Sequence, residues 1–230
     1  MILARETFSE RREEVEELLQ YLEKSEDPTA LTTPGAPKGE TLRILRASCY
    51  VMIYNMIEST ISVCLEDLST AIQSTVPSVQ SLNEKVFERY LISKYNSRLI
   101  TSSNERAVAL ARELMDEVGR TSISEFVFVA PSGNCTDKNI ENTLNGVGIK
   151  LKMEKDLKTR VKRKVSDNRT ILEALVRIRN DLAHGNRAFS DVGQGATVVD
   201  LKRTFDLAVE YMELVINHFE DYIDNSGYLS

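Results

Sequence analysis

The chain has no tryptophan, only two histidines, three cysteines and five prolines in 230 residues. Each scarcity excludes something. Cys49, Cys64 and Cys135 form no CxxC pair and leave an odd count, so neither a disulfide framework nor a thiolate zinc site is expected. They read as core fillers rather than nucleophiles. No acidic pair or His cluster has the look of a two-metal site. No Walker or dinucleotide glycine pattern occurs, so no nucleotide cofactor is expected either. No run of about 18 apolar residues appears, which argues against a membrane partner. The opening residues 1–6 lack the basic and apolar regions of a secretory signal, and a cytoplasmic location is expected.

What is present is ordinary in amount and uneven in placement. The chain is 42% hydrophobic and 28% charged, long enough for one substantial core or two small ones. Its net charge of −6 argues against a general nucleic-acid coat. Yet residues 150–169 hold nine basic side chains against three acidic ones, a local charge of +6 that leaves −12 elsewhere. A basic strip on an acidic body is the footprint of a phosphate-tracking site, with Lys158, Arg160, Lys162, Arg163 and Lys164 its centre. The competing reading is a solvated helix face.

Helical periodicity dominates the chain. A first amphipathic helix is expected over about 5–26, with Phe8, Val15, Leu18, Leu19 and Leu22 inward. A loop at 27–39 carries Pro28, Pro34, Gly35 and Pro37. A long helix follows over roughly 40–75, its face set by Leu42, Leu45, Cys49, Met52 and Met56. A shorter helix covers about 82–95. Asn104 caps another, with Val108, Ala111, Met115 and Val118 on its apolar face and Gly119 as its stop. Phe126–Val129 is the one strand-like run, ended by a turn at 131–134. A short helix is expected at 137–145.

The next helix, 168–184, is capped by Ser166 or Asp167 and buries Ile171, Leu175, Ile178 and Leu182. A loop from Gly185 to Ala196 then leads to Thr197, which caps a last helix over 198–224. The fold class is therefore all-α: one domain over 1–230, built as a bundle of four long helices, with an insertion at 120–165 and at most a minor strand segment.

The segment Arg179-Asn180-Asp181-Leu182-Ala183-His184 carries the chemistry. Imidazole moves protons near neutral pH, and a guanidinium neutralises charge building on a phosphorane, so Arg with His is a minimal kit for breaking an RNA phosphodiester. On an ideal helix Arg179 and His184 stand about 140° apart, whereas Asn180 and His184 share a face. One copy is an awkward catalytic pair; two copies packed together bring both motifs to one cleft. The plain alternative is a His favoured at a helix C-terminus and a surface Arg.

The string Arg177 to Asn186 resembles the active-site signature of the HEPN superfamily, an Arg, four to six residues, then a His, with a polar residue after the Arg. The text Tyr54-Asn55-Met56-Ile57-Glu58-Ser59-Thr60 and the Ser132-Gly133-Asn134 turn are similar to a bacterial branch of single-domain HEPN nucleases. The resemblance implies a homodimeric helical bundle with both motifs at the interface, acting as a metal-independent endoribonuclease on tRNA or mRNA. It further implies a toxin–antitoxin or phage-defence role, with a cognate antitoxin or regulatory protein as partner. By residue, His184 would handle the 2′-hydroxyl or leaving-group proton, Arg179 the developing charge, and Asn180 the orientation of one of them. Some such toxins carry a Tyr two residues after the His that a partner modifies; Asn186 stands there in this chain.

Asn55 and Glu58, with Ser62 on the same face, are possible supporting residues, and Arg187 a possible RNA contact in the loop after the motif. His218 reads as structural. Two alternatives stand beside the nuclease: a non-catalytic HEPN dimerisation or nucleotide- or partner-binding module, and an interaction protein recognised through its acidic body.

Overall fold

The computed structural model describes residues 2–26, 39–99, 104–120, 122–123, 125–131 and 133–230. The expected loop at 27–38 and Ser132 of the expected turn lie outside them. Gly39, assigned above to the loop, is the first residue of α2 (Gly39–Thr75).

Helix α2 organises the fold. Fourteen of its residues are buried, including the consecutive pairs Ile53–Tyr54 and Met56–Ile57. Burial at adjacent positions means that more than one face meets protein, so α2 is a central helix rather than a surface one. By length and composition it would also suit a membrane span, and half of that apolar window is packed inside the protein. Around it lie α1 (Ile2–Ser25), α7 (Ile171–Ala183), α8 (Phe189–Gln194) and α9 (Val198–Asp224). Of the stripe read for α1, Phe8, Val15, Leu19 and Leu22 are buried and Leu18 packs half-buried against the core, while α9 buries Leu201, Phe205, Ala208, Met212 and Phe219. Helices α3 (Glu84–Leu99), α4 (Asn104–Val118), α5 (Asp137–Gly146) and α6 (Lys155–Lys162) complete an all-α architecture, with one two-stranded ribbon.

That ribbon fixes where the motif helix begins. Strands β1 (Lys164–Ser166) and β2 (Arg169–Thr170) pair antiparallel around Asp167 and Asn168, whose φ values are +48° and +57°. Two left-handed residues are what a tight hairpin needs to match strand twist, and Asp and Asn tolerate that region best after Gly. The helix consequently starts later than expected, and its cap is Thr170, not Asp167 or Ser166. Thr170 Oγ1 accepts from the Glu173 amide while the Glu173 carboxylate accepts from the Thr170 amide, a complete capping box. The Lys164 ammonium and these cap bonds hold the Glu173 carboxyl below its usual range. Thr170 also donates to the buried Asp137 carboxylate at 2.9 Å, which ties the start of α7 to α5.

The other end of α7 is set by Gly185 at φ +69°. The Asn186 amide donates to the Asp181 carbonyl and the Gly185 amide to the Leu182 carbonyl, a Schellman closure. His184 is thereby the C-cap, held at the rim of the helix.

Three expectations fail. Residues 185–196 are not all loop: α8 forms there and crosses α2 so closely that a Cβ on Gly193 would meet the Arg43 carbonyl oxygen at 1.7 Å. Phe126–Val129 enters no sheet. Phe126 and Phe128 pack inward, but the Phe128 amide goes to Ser69 Oγ and the Phe126 carbonyl to Gln73, both on α2. And the apolar face of α4 is turned outward, with Val108 and Met115 exposed while Glu117 is buried. That burial is stable because Lys94, Arg120 and the Tyr90 hydroxyl surround the carboxylate.

Candidate active site

Arg179 leaves α7 where α7 packs on α2, and its guanidinium is gripped on several sides. Its carbon lies 5.0 Å from the centre of the Tyr54 ring, a cation–π contact. One terminal nitrogen donates to Asn180 Oδ1 at 3.1 Å, and the other lies 3.6 Å from Glu58 Oε2. Tyr54 and Glu58 are one turn apart on α2, so a single helix face supplies the ring and the countercharge.

The same two residues also hold the turn at 133–135. Glu58 Oε1 accepts from the Gly133 amide at 2.6 Å, and the Tyr54 hydroxyl accepts from the Cys135 amide at 3.4 Å. Gly133 has φ +71°, and a Cβ there would come within 3.3 Å of the Arg179 terminal nitrogen. Only glycine gives both that backbone and that clearance. The carboxylate is thus anchored by backbone, while its approach to Arg179 is longer than a hydrogen bond. Arg179 is aimed without being used up: most of its five N–H donors carry no bond to these partners.

This arrangement carries a stability prediction. Glu58→Ala removes the acceptor of the half-buried Gly133 amide and should lower unfolding stability by about 1 kcal/mol. Glu58→Gln keeps a carbonyl acceptor and should lose less than half as much, as urea melts of the two variants will show.

His184 stands apart from this cluster. It is exposed, its backbone amide donates to the Asn180 carbonyl at 3.0 Å, and among the described residues its imidazole makes no hydrogen bond or ion pair. Among the described residues no direct hydrogen bond joins its imidazole to the Arg179 guanidinium. Asn180 touches both halves of the motif, its side chain on Arg179 and its carbonyl on the His184 amide.

The supporting residues divide. Glu58 is in the cluster; Asn55 is exposed one turn away, in a groove shared with Glu58. The basic strip is partly occupied. Arg160 pairs with Asp156 and Glu210, Lys162 with Asp137, and Lys164 with Glu173. Lys158, Arg163 and Arg187 are exposed and make no ion pair among the described residues. A groove of about 740 Å³ brings Arg160, Arg163 and Lys164 against Lys202 and Arg203 of α9. Lys202 is itself bonded to Glu23.

His218 is structural as expected. Its Nδ1 faces the Leu214 carbonyl and its Nε2 the Lys152 amide, so Nδ1 carries the proton and the ring pins residue 152 to α9. The thiols are inert: burial pushes Cys49 and Cys135 up to about 12, and Cys64 up as well. The residue missed in the sequence is Tyr54. In an apolar helix it reads as core, and indeed it is fully buried; only its ring contact with Arg179 shows the second role.

A family model described as HEPN_MAE_28990-like HEPN matches residues 4–228. No curated protein and no solved structure matches the chain. With an Arg-Asn-x3-His string closing its penultimate long helix and a family match along nearly its whole length, this chain belongs to the HEPN superfamily, in the HEPN_MAE_28990-like HEPN family.

Proposed function

We propose that this HEPN protein is a metal-independent endoribonuclease working as a cytoplasmic homodimer, and that it is the effector of a toxin–antitoxin or phage-defence system. The observation that carries the reading is the contrast within the motif. Among the described residues Arg179 is held by Tyr54 and Asn180 with donors to spare, while His184 is exposed at the helix end and its ring makes no hydrogen bond or ion pair. A structural arginine would have its donors satisfied, and a structural histidine would have partners, as His218 has.

The chemistry uses these groups alone. The 2′-hydroxyl of the ribose attacks the adjacent phosphorus as His184 takes its proton. Negative charge on the non-bridging oxygens of the phosphorane is met by Arg179. The 5′-oxygen leaves with the proton that the His184 imidazolium gives back, giving a 2′,3′-cyclic phosphate and a 5′-hydroxyl end. Because no hydrogen bond or ion pair among the described residues joins His184 to Arg179 within one chain, the cleft takes Arg179 from one copy and His184 from the other.

The purified protein incubated with total RNA in EDTA, with the new ends mapped by sequencing, tests this. Discrete cuts with cyclic-phosphate ends, and none in the equivalent DNA, are expected. Intact RNA, with tight binding of a nucleotide or protein partner instead, would favour a non-catalytic module.

A further inference from the structure

Beside Arg179, between α1 and α2, runs a groove of about 370 Å³. Its floor is one stripe of α2, formed by Met52, Asn55, Ser59 and Ser62 at spacings of 3, 4 and 3. Asn55 is exposed on this stripe and Met52, Ser59 and Ser62 are half-buried, with Arg11 and Glu14 of α1 as the opposite wall. Glu58 lines the groove and also lies 3.6 Å from an Arg179 terminal nitrogen, so the groove and the guanidinium share one side chain.

Resting on the ribonuclease reading, we infer that this groove is a nucleoside subsite for the residue flanking the scissile phosphate, and that Asn55 reads a base bearing an exocyclic amino group.

The polarity of the walls selects the occupant. Ser59 Oγ donates to the Met56 carbonyl and Ser62 Oγ to the Glu58 carbonyl, so each hydroxyl offers the groove only acceptor lone pairs. Glu58 adds another acceptor. The Arg11 guanidinium, the one cation of the lining, bonds both Glu14 oxygens through one terminal nitrogen, at 3.0 and 2.9 Å, so its charge is matched by the carboxylate beside it. A phosphate has no donors to give such walls and would face two carboxylates. A nucleoside brings ribose hydroxyls and base amino groups, all donors. Asn55 is exposed, and among the described residues its amide has no partner; it presents a donor and an acceptor side by side. That pair matches the donor–acceptor edge of adenine, the commonest partner of an Asn amide on a base. Uracil brings one imide N–H flanked by two carbonyls, where the adenine amino group brings two N–H donors to the acceptor walls. Half-buried Met52 supplies an apolar, polarisable surface for the face of the base.

The test compares oligoribonucleotides that differ only at the bases flanking one cut, adenine against uracil. The wild type should cut the adenine substrate about tenfold faster at one flanking position, and Asn55→Ala should reduce that ratio to near one. Asn55 is exposed, so the variant should melt with the wild type. An unchanged ratio in Asn55→Ala, or no base preference in the wild type, overturns the subsite.

A second measurement separates this inference from the nuclease reading. Adenosine and uridine are titrated into the His184→Ala protein while the Asn55 side-chain amide is followed by NMR. Adenosine should shift that resonance saturably, and uridine should do so at least about fivefold more weakly. A saturable adenosine shift, with a wild type that cuts no RNA, would leave the subsite standing and remove the nuclease. Cutting without any such shift would do the reverse.

Discussion

His184→Ala should lower the rate of RNA cleavage by about a thousandfold while leaving the melting temperature unchanged. Both halves of that expectation come from the position of His184. It is exposed at the C-cap of α7, so truncating its side chain uncovers no core and breaks no hydrogen bond among the described residues. The helix end is set by Gly185 and by amides donating to the Asp181 and Leu182 carbonyls, which the substitution leaves in place. A change in rate with no change in stability is what loss of a proton carrier gives. Single-turnover cleavage and thermal melts on the same preparation check it. A variant that melts early would assign His184 a structural role instead.

Arg179→Ala should have an effect of similar size, about a hundredfold to a thousandfold, and should act on kcat more than on KM. The charge that Arg179 meets develops only as the phosphorane forms, so its removal raises the barrier more than it weakens binding. Arg179→Lys sharpens the test. A lysine keeps the charge but has no planar fork to lie against the Tyr54 ring while donating to Asn180. It should recover less than a tenth of the wild-type rate. Full recovery by lysine would mean that any cation at this point suffices and that the Tyr54–Glu58–Asn180 grip is irrelevant to the chemistry.

The elements that could be read in the sequence are those whose signals are local. Leu175 and Leu182 of the α7 stripe, which are buried, the Gly185 stop and the Thr197 cap all lie within a few residues of what they control. The motif needed only its own six residues and Asn180 beside the Arg. What was missed depends on partners distant in the chain. Glu117 turns α4 inside out because Lys94 and Tyr90, from the preceding helix, are there to receive it. The hairpin at 164–170 hid inside the basic strip, since strands of three and two residues give no periodicity. The strip itself looked like a cationic track because Glu210 and Glu173, which engage Arg160 and Lys164, lie outside it. Tyr54 could not be told from a core aromatic without Arg179 beside it. Glu58 was marked by its place on α2, but its hold on the Gly133 amide belongs to the folded chain alone.

Mixing Arg179→Ala with His184→Ala tests most directly whether the site is shared between two copies. Each variant alone should be inactive. After full subunit exchange half the dimers are mixed, and each mixed dimer holds one cleft with an intact Arg179 from one chain and an intact His184 from the other. Cleavage should therefore return to about a quarter of the wild-type rate. Two inactive proteins that stay inactive when mixed, although shown to exchange subunits, would contradict a site built across two chains.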